Sequence, residues 1–99
     1  MSRLYVLTRT DLKYSSPAVQ SGHSVAEFCL NSNGEEWNNQ TLIYLGVKNL
    51  SELERWCFKL EKRNIKFTGF REPDMNDELT SIATLSDDGK IFKSLKLLE

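Results

Sequence analysis

The chain has 99 residues, of which 27% are charged and 39% hydrophobic, and its formal net charge is −1. This length suits one domain with one modest core, and the composition excludes the disordered class. A nearly neutral chain lacks the excess of Lys and Arg that tight nonspecific binding to nucleic acid requires. No apolar run approaches the roughly 18 residues of a membrane span, and the first residues lack the apolar segment of a signal peptide. We therefore expect one cytoplasmic domain over residues 1–99, without a membrane partner.

The first predicted element is a β-strand. Leu4 to Thr8 form a nearly continuous apolar run of β-forming residues, which is typical of a strand covered on both faces. The loop that follows, residues 9–15, mixes charged and turn-forming residues. In α/β proteins the carboxyl ends of strands are where ligands usually bind.

A helix is predicted from Ser16 and Pro17 to about Leu30. Serine can cap a free backbone amide, and proline fits the first helical position because its missing N–H needs no partner. Apolar positions at three-to-four spacing predict the face toward the sheet; they are Ala18, Val25, Ala26 and Cys29. A polar stripe with the same spacing lies on one side of the helix; it contains Ser16, Gln20, His23 and Glu27.

Residues 41–47 predict a second strand, and the next segment predicts a second helix. Ser51 with Glu54 three residues later is the pattern of a capping box, which predicts a helix from Ser51 to about Arg63. Asn64 can adopt the left-handed conformation that ends a helix.

Two further strands are predicted at residues 65–70 and 79–85, joined by a short connection that suits antiparallel pairing. Four carboxylates crowd this connection and its flanks, and they cannot all be buried without partners; they are Glu72, Asp74, Asp77 and Glu78. The loop is therefore expected to face water or a cationic partner. Its composition leaves open both a functional loop and a solvated connection.

A final helix is predicted at the C-terminus, where apolar residues recur with helical spacing; they are Ile91, Phe92, Leu95 and Leu98. The complete element order is β-α-β-α-β-β-α. This order predicts an α/β fold: a single-domain three-layer α/β/α arrangement with a mixed four-stranded sheet.

Two segments resemble the type II peptidyl-tRNA hydrolases. In that family a strand, an Arg-x-Asp-Leu loop and a helix with Ala-x-Gln-x-x-His recur, and here the matching runs are Leu7-Thr8-Arg9-Thr10-Asp11-Leu12-Lys13 and Ala18-Val19-Gln20-Ser21-Gly22-His23-Ser24. Residues Phe70 to Asp74 and Leu79 to Ala83 are similar to a small bacterial branch described as peptidyl-tRNA hydrolase-like.

The resemblance implies hydrolysis of the ester between a peptide and the 3′ end of tRNA, and it allows a homodimer. It implies a site where the first loop, the first helix and the loop before the fourth strand meet. The candidate catalytic residues are Gln20, His23, Glu72, Asp74 and Thr80. The candidate substrate-binding residues are Arg9, Asp11, Lys13 and Arg71.

One loop departs from the family. The Gly-Lys-Gly-Lys run that carries its characteristic lysine is absent, and the shorter loop here reads Lys13-Tyr14-Ser15-Ser16-Pro17. Lys13 matches only the earlier lysine of the family's Asp-Leu-Lys run. The alternative function is therefore a binding or regulatory module that kept the fold and lost the chemistry.

His23 is the only histidine, and imidazole is the side chain that most readily exchanges protons near neutral pH. Together with Gln20 it could orient a water molecule, or it could instead fill a packing gap and bond a carbonyl. One histidine and two separated cysteines give no zinc spacing, and no glycine-rich phosphate loop occurs. The sequence therefore predicts no metal site and no cofactor.

Overall fold

A mixed five-stranded sheet forms the centre of the molecule. The structure is a computed structural model, and it describes residues 2–13, 15–31, 37–38 and 41–98. The strands are β1 (Arg3–Arg9), β2 (Leu42–Val47), β3 (Thr68–Glu72), β4 (Glu78–Ser86) and β5 (Lys96–Leu97), and the helices are α1 (Pro17–Leu30) and α2 (Leu50–Lys62). In space the strands follow the order β3-β4-β1-β2-β5.

Strand β1 lies at the middle of the sheet, as its apolar run predicts. It pairs in parallel with β2, with Leu4 opposite Leu42, and antiparallel with β4, with Leu4 opposite Leu85. The mixed sheet is thus confirmed, but the predicted number of four strands is wrong because β5 adds a fifth.

The two helices cover opposite faces of the sheet. Successive side chains of a strand point to opposite faces, and Leu4 and Val6 of β1 pack in one cluster with Phe28 of α1. Tyr5 and Leu7 pack in a second cluster, with the buried side chains of α2. Those side chains are Leu53, Trp56 and Leu60.

The predicted C-terminal helix is wrong. Gly89–Phe92 forms only a short 3₁₀ turn, and its Phe92 is buried beside Tyr5, with ring centroids 4.7 Å apart. The chain then runs along β2, where the amide of Leu98 donates to the carbonyl of Tyr44 at 2.9 Å. The open edge of β2 supplies backbone partners for this segment, and Ile91, Phe92 and Leu95 pack against the core without a helix.

Helix α1 begins as predicted, whereas α2 begins earlier. Ser16 accepts a hydrogen bond from the amide of Ala18 at 3.2 Å. The cap of α2 is Asn49, whose side chain accepts from the amide of Glu52 at 2.9 Å, so the predicted capping box at Ser51 is wrong. Asparagine caps helices about as well as serine. Asn49 lies two residues before Ser51, and a helix that begins there presents the same apolar residues of α2 to the sheet.

Strands β3 and β4 form the antiparallel pair that the short connection predicts. Between them Asn76 and Asp77 have φ angles of 56° and 58°, a left-handed conformation that Asn and Asp tolerate better than most residues. The amide of Asp77 donates to the carbonyl of Glu72 at 3.0 Å, which closes the turn. Because β3 extends through Glu72, this carboxylate belongs to the sheet and not to a free loop.

Neither helix within the described residues is long and apolar enough to cross a membrane.

Candidate functional site

A β-bulge in β4 faces helix α1. Phe70 of β3 pairs with Ser81, but the next residue, Arg71, pairs with Leu79, so Thr80 is an extra residue without a partner. A bulge of this kind can turn two consecutive side chains toward the same side of the sheet. Here Thr80 donates to Oε1 of Gln20 at 2.6 Å, and Ser81 donates to the backbone carbonyl of Gln20 at 2.7 Å.

Gln20 connects the bulge to β3. Its Nε2 donates to Oγ of Ser15 at 2.6 Å and to Oε2 of Glu72 at 3.4 Å. The carboxylate of Glu72 can only accept, and this fixes which end of the Gln20 amide faces it. Gln20 is 1% exposed, so its polar atoms depend on these protein partners.

Glu72 also lies near His23, which is one helical turn after Gln20 in α1. The Nδ1 atom of His23 lies 3.9 Å from Oε2 of Glu72, and the side chains are 42% and 13% exposed, respectively. The Nδ1 atom itself is buried and has no hydrogen-bond partner among the described residues. The imidazole packs against the ring of Phe70, with centroids 4.5 Å apart. A largely buried carboxylate therefore lies beside a histidine whose side chain is partly exposed although its Nδ1 atom is buried.

Hydroxyl groups hold α1 against the sheet. Thr8 and Ser21 are 2.6 Å apart at their oxygens, and Ser24 and Ser81 are 2.5 Å apart; all four residues are buried. The predicted apolar face of α1 is right for Val25, which packs against the cluster of Leu4, Val6 and Phe28, and wrong for its other three members. The buried residues of α1 are Gln20, Ser21, Ser24 and Phe28, while Ala18, Ala26 and Cys29 are exposed. Buried hydroxyls are accommodated here because each has a partner at hydrogen-bond distance.

Arg9 and Asp11 form a separate ion-pair cluster. Nε of Arg9 donates to Asp11 at 2.9 Å, and its Nη1 donates to Glu78 and to the carbonyl of Leu79. The hydrogen bond from Arg9 lowers the pKa of Asp11, partly offset by burial. Bonding to Asp11 raises the pKa of Arg9, also against the effect of burial. Because the Arg9 side chain is 7% exposed and carries two carboxylates, it does not present a free cation to a ligand.

The other predicted site residues lie outside the cluster of Gln20, His23, Glu72 and Thr80. Asp74 is exposed in the turn after β3, and Arg71 is exposed, with Nη1 donating to the carbonyl of Asp77 at 3.3 Å. Lys13 is exposed as well and makes no hydrogen bond or ion pair with another described residue. The predicted crowding of carboxylates is resolved by separate partners, since Glu72 meets α1 whereas Glu78 meets Arg9.

Sequence reasoning missed Ser15 and Phe70. Ser15 accepts the short bond from Gln20, and Phe70 supports the histidine ring. The polar stripe that contains Gln20 and His23 could have led to Ser15, one residue before its first member. No sequence pattern predicts the contact of Phe70 with His23, because that contact depends on how β3 packs against α1.

No three His, Cys, Asp or Glu side chains of the described segments converge closely enough to hold a metal ion.

Comparison with known proteins shows the fold and not the activity. No protein-family model matches the chain, and neither does any curated protein. The structure is similar to that of a protein of unknown function from Agrobacterium tumefaciens strain C58, with a TM-score of 0.71 over 99% of this chain and 98% of that chain. The two sequences are 14% identical, so the likeness establishes a shared architecture. Membership of the peptidyl-tRNA hydrolase family stays a prediction.

Proposed function

We propose that the protein hydrolyses the ester between a peptidyl or aminoacyl group and tRNA, with Glu72 and His23 activating water. The observation that carries this proposal is the convergence of His23 from α1 and Glu72 from β3, supported by Gln20 and the bulged Thr80. These residues come from two segments that are far apart in the chain, helix α1 and the hairpin of β3 and β4. A carboxylate beside Nδ1 of a surface histidine is the arrangement that lets the opposite nitrogen act as a base.

In the proposed reaction His23 is the general base. Its Nε2 takes a proton from a water molecule while the water oxygen attacks the ester carbonyl carbon. The resulting imidazolium gives that proton to the 3′ oxygen of tRNA as the bond from the carbonyl carbon to this oxygen breaks. The products are the free carboxylic acid and tRNA with its hydroxyl restored.

Glu72 stabilises the imidazolium through Nδ1–H. Its oxygen is 3.9 Å from Nδ1, so the two must approach by about 1 Å to form a hydrogen bond. Catalytic hydrogen bonds are often long in a free enzyme and shorten when the substrate binds. The buried Nδ1 atom without a partner is satisfied by this approach.

Gln20 and Thr80 position Glu72. Thr80 holds Oε1 of Gln20, which leaves Nε2 directed at Ser15 and Glu72. Ser15 accepts from Gln20, so its own hydroxyl hydrogen can be donated to the oxyanion that forms on the carbonyl oxygen. Gln20 and Thr80 are wholly buried, and their contribution is to orientation.

The tRNA part of the proposal is supported by the resemblance of the two segments quoted above. Lys13 and Arg71 are exposed cations that could meet phosphates near the 3′ end. Arg9 serves instead to hold Asp11 and Glu78. Binding is therefore expected to depend on Lys13 and Arg71 and to weaken as salt concentration rises.

The test is release of labelled peptide from purified peptidyl-tRNA. We expect turnover by the wild type and its loss in His23→Ala and Glu72→Ala, with a reduced rate in Gln20→Ala. Asp87→Asn is the matched control, because this exposed carboxylate follows the end of β4 and lies outside the cluster. Absence of turnover by folded wild-type protein would contradict the hydrolase proposal.

A binding module is the second candidate. It is favoured by the absence of the family's Gly-Lys-Gly-Lys run, in whose place the shorter loop reads Lys13-Tyr14-Ser15-Ser16-Pro17, because that run carries the family's characteristic lysine. Binding of tRNA without hydrolysis, weakened by Lys13→Ala and unchanged by His23→Ala, would support this candidate over the enzyme.

A further inference from the structure

Strand β3 forms one edge of the sheet. It pairs with β4 on one side, and no strand within the described residues pairs with its other side. An edge strand presents backbone N–H and C=O groups that can receive another extended chain. Recognition by addition of a strand uses these groups for affinity and the neighbouring side chains for specificity.

A groove of about 630 Å³ follows this edge between the two helices. Its floor includes Gly69, Phe70 and Arg71 of β3. One wall is formed by residues of α2 that are three or four positions apart and therefore lie on one face of the helix; they are Glu54, Cys57, Phe58 and Glu61. On the other side it is bordered by Glu27 of α1.

Charge in the groove is predominantly negative. Three glutamates, Glu27, Glu54 and Glu61, line it together with Arg71, and Nζ of a second cation, Lys62, lies 5.1 Å from the ring centroid of Phe58. Burial, together with the charges of Glu61 and Glu54, raises the pKa of the Cys57 thiol to about 11, and Arg71 offsets this only in part. The carboxylates that line the groove would attract a cationic ligand.

An aromatic surface accompanies these charges. Phe58 is 60% exposed on α2, and Phe67 and Phe70 are half-buried in the lining. Apolar side chains of a bound segment could cover these rings, while its cationic side chains meet the glutamates. Phe58 is the large exposed aromatic side chain of this lining, and an exposed apolar group that adjoins a free strand edge is typical of an interaction surface.

We propose that this groove binds an extended peptide segment rich in Lys or Arg and aliphatic residues, which adds to β3 as a sixth strand. A second copy of the chain is disfavoured as the occupant, because pairing of two β3 edges would bring two sets of groove glutamates close together. The inference does not depend on the proposed hydrolysis.

The probe is an acetylated and amidated hexapeptide that alternates lysine and valine, titrated into ¹⁵N-labelled protein. We expect shifts in the amide resonances of Thr68–Glu72 and slower hydrogen exchange along β3, because new backbone hydrogen bonds form there. The double variant Glu54→Gln with Glu61→Gln should bind about tenfold more weakly, as expected for the loss of two exposed charge pairs. The control double variant is Glu52→Gln with Asp87→Asn, which removes two acidic groups outside the groove and should bind like the wild type.

A second peptide tests the strand geometry. The same sequence with its internal backbone amides methylated keeps the charges but cannot pair with an edge strand, and we expect it not to bind. Equal binding of the methylated peptide, equal binding by the Glu54 and Glu61 variant, or no shift at about 1 mM peptide would overturn the proposal. The proposal would also be overturned if, without peptide, hydrogen exchange along β3 slowed as the protein concentration rose and sedimentation showed dimers. These results would indicate that a second copy of the chain occupies the groove.

Discussion

Thr80 donates its hydroxyl hydrogen to Oε1 of Gln20 over 2.6 Å, and this bond joins a bulge of β4 to the buried face of α1. Both residues are at most 1% exposed, so no solvent can replace either partner. The bond also fixes the amide whose other end meets Glu72. One buried contact thus supports both the packing of α1 and the orientation of the candidate catalytic carboxylate.

Thr80→Val should lower the free energy of unfolding by about 1–3 kcal/mol, because it leaves Oε1 of Gln20 buried without a donor. Urea unfolding followed by circular dichroism measures the change. Thr10→Val is the matched control, since Thr10 is exposed and water can replace its bond to Val47. Equal stability of the wild type and Thr80→Val would show that this hydroxyl is dispensable.

Gly89→Ala should also destabilise the protein. A Cβ at residue 89 would overlap the hydroxyl of Tyr5, and Tyr5 is itself buried against Phe92 and has little room to move. Overpacking of this kind costs about 1–3 kcal/mol, which thermal unfolding would report as a lower melting temperature.

Gly22→Ala is the control for that substitution. A Cβ at Gly22 meets nothing within 4 Å, and the residue lies within helix α1. Alanine should therefore stabilise the protein by about 0.4–1 kcal/mol through a smaller entropy loss on folding. A loss of stability in both glycine variants would argue against the tight contact at Tyr5.

Asp11 should make stability depend on pH in the acid range. Its pKa is held below the ordinary 3.8 by the bond from Arg9, so the unfolded chain binds a proton more readily than the folded one. The stabilisation is present above pH 3.8 and is lost as pH falls through the lower folded pKa. Because the Asp11 side chain is 39% exposed, the effect is screened by solvent and should be modest.

Unfolding free energies measured from neutral pH into this acid range would test the role of Asp11. Asp11→Asn should be less stable than the wild type at neutral pH, and the difference should shrink as the wild-type carboxylate becomes protonated. Asp74→Asn, which alters an exposed carboxylate outside the ion pair, should show no such convergence. A constant difference between Asp11→Asn and the wild type at every pH would contradict this assignment.

The strands and helices with strong local signals were predictable from sequence. The apolar run of Leu4 to Thr8 is typical of a covered strand and forms β1, and Ser16 with Pro17 marked the start of α1. At the C-terminus, helical spacing of apolar residues was misleading because the open edge of β2 offered partners that local sequence does not reveal. The cap of α2 was predicted at Ser51 but is Asn49, because asparagine caps a helix about as well as serine and local sequence does not rank the two.

The candidate site was predictable in part. Three-residue spacing placed Gln20 and His23 on one side of a helix, but it could not show that Gln20 is buried while His23 reaches the surface. The buried hydroxyl pairs of α1 were missed because hydropathy assigns serine to the solvent side. The orientation of Thr80 depends on a bulge that exists because of how β4 pairs with β3. No local pattern in the sequence of β4 predicts this bulge.

The most direct test of the Glu72–His23 pair is a double-mutant cycle on release of peptide from peptidyl-tRNA, with His23→Ala, Glu72→Gln and the double variant. If the carboxylate acts through the imidazole, the double variant should lose no more activity than His23→Ala alone, because residues that act as a unit are not additive. Losses that multiply in the double variant would show two independent roles. Turnover that persists in His23→Ala, or is absent from the wild type, would contradict the account altogether.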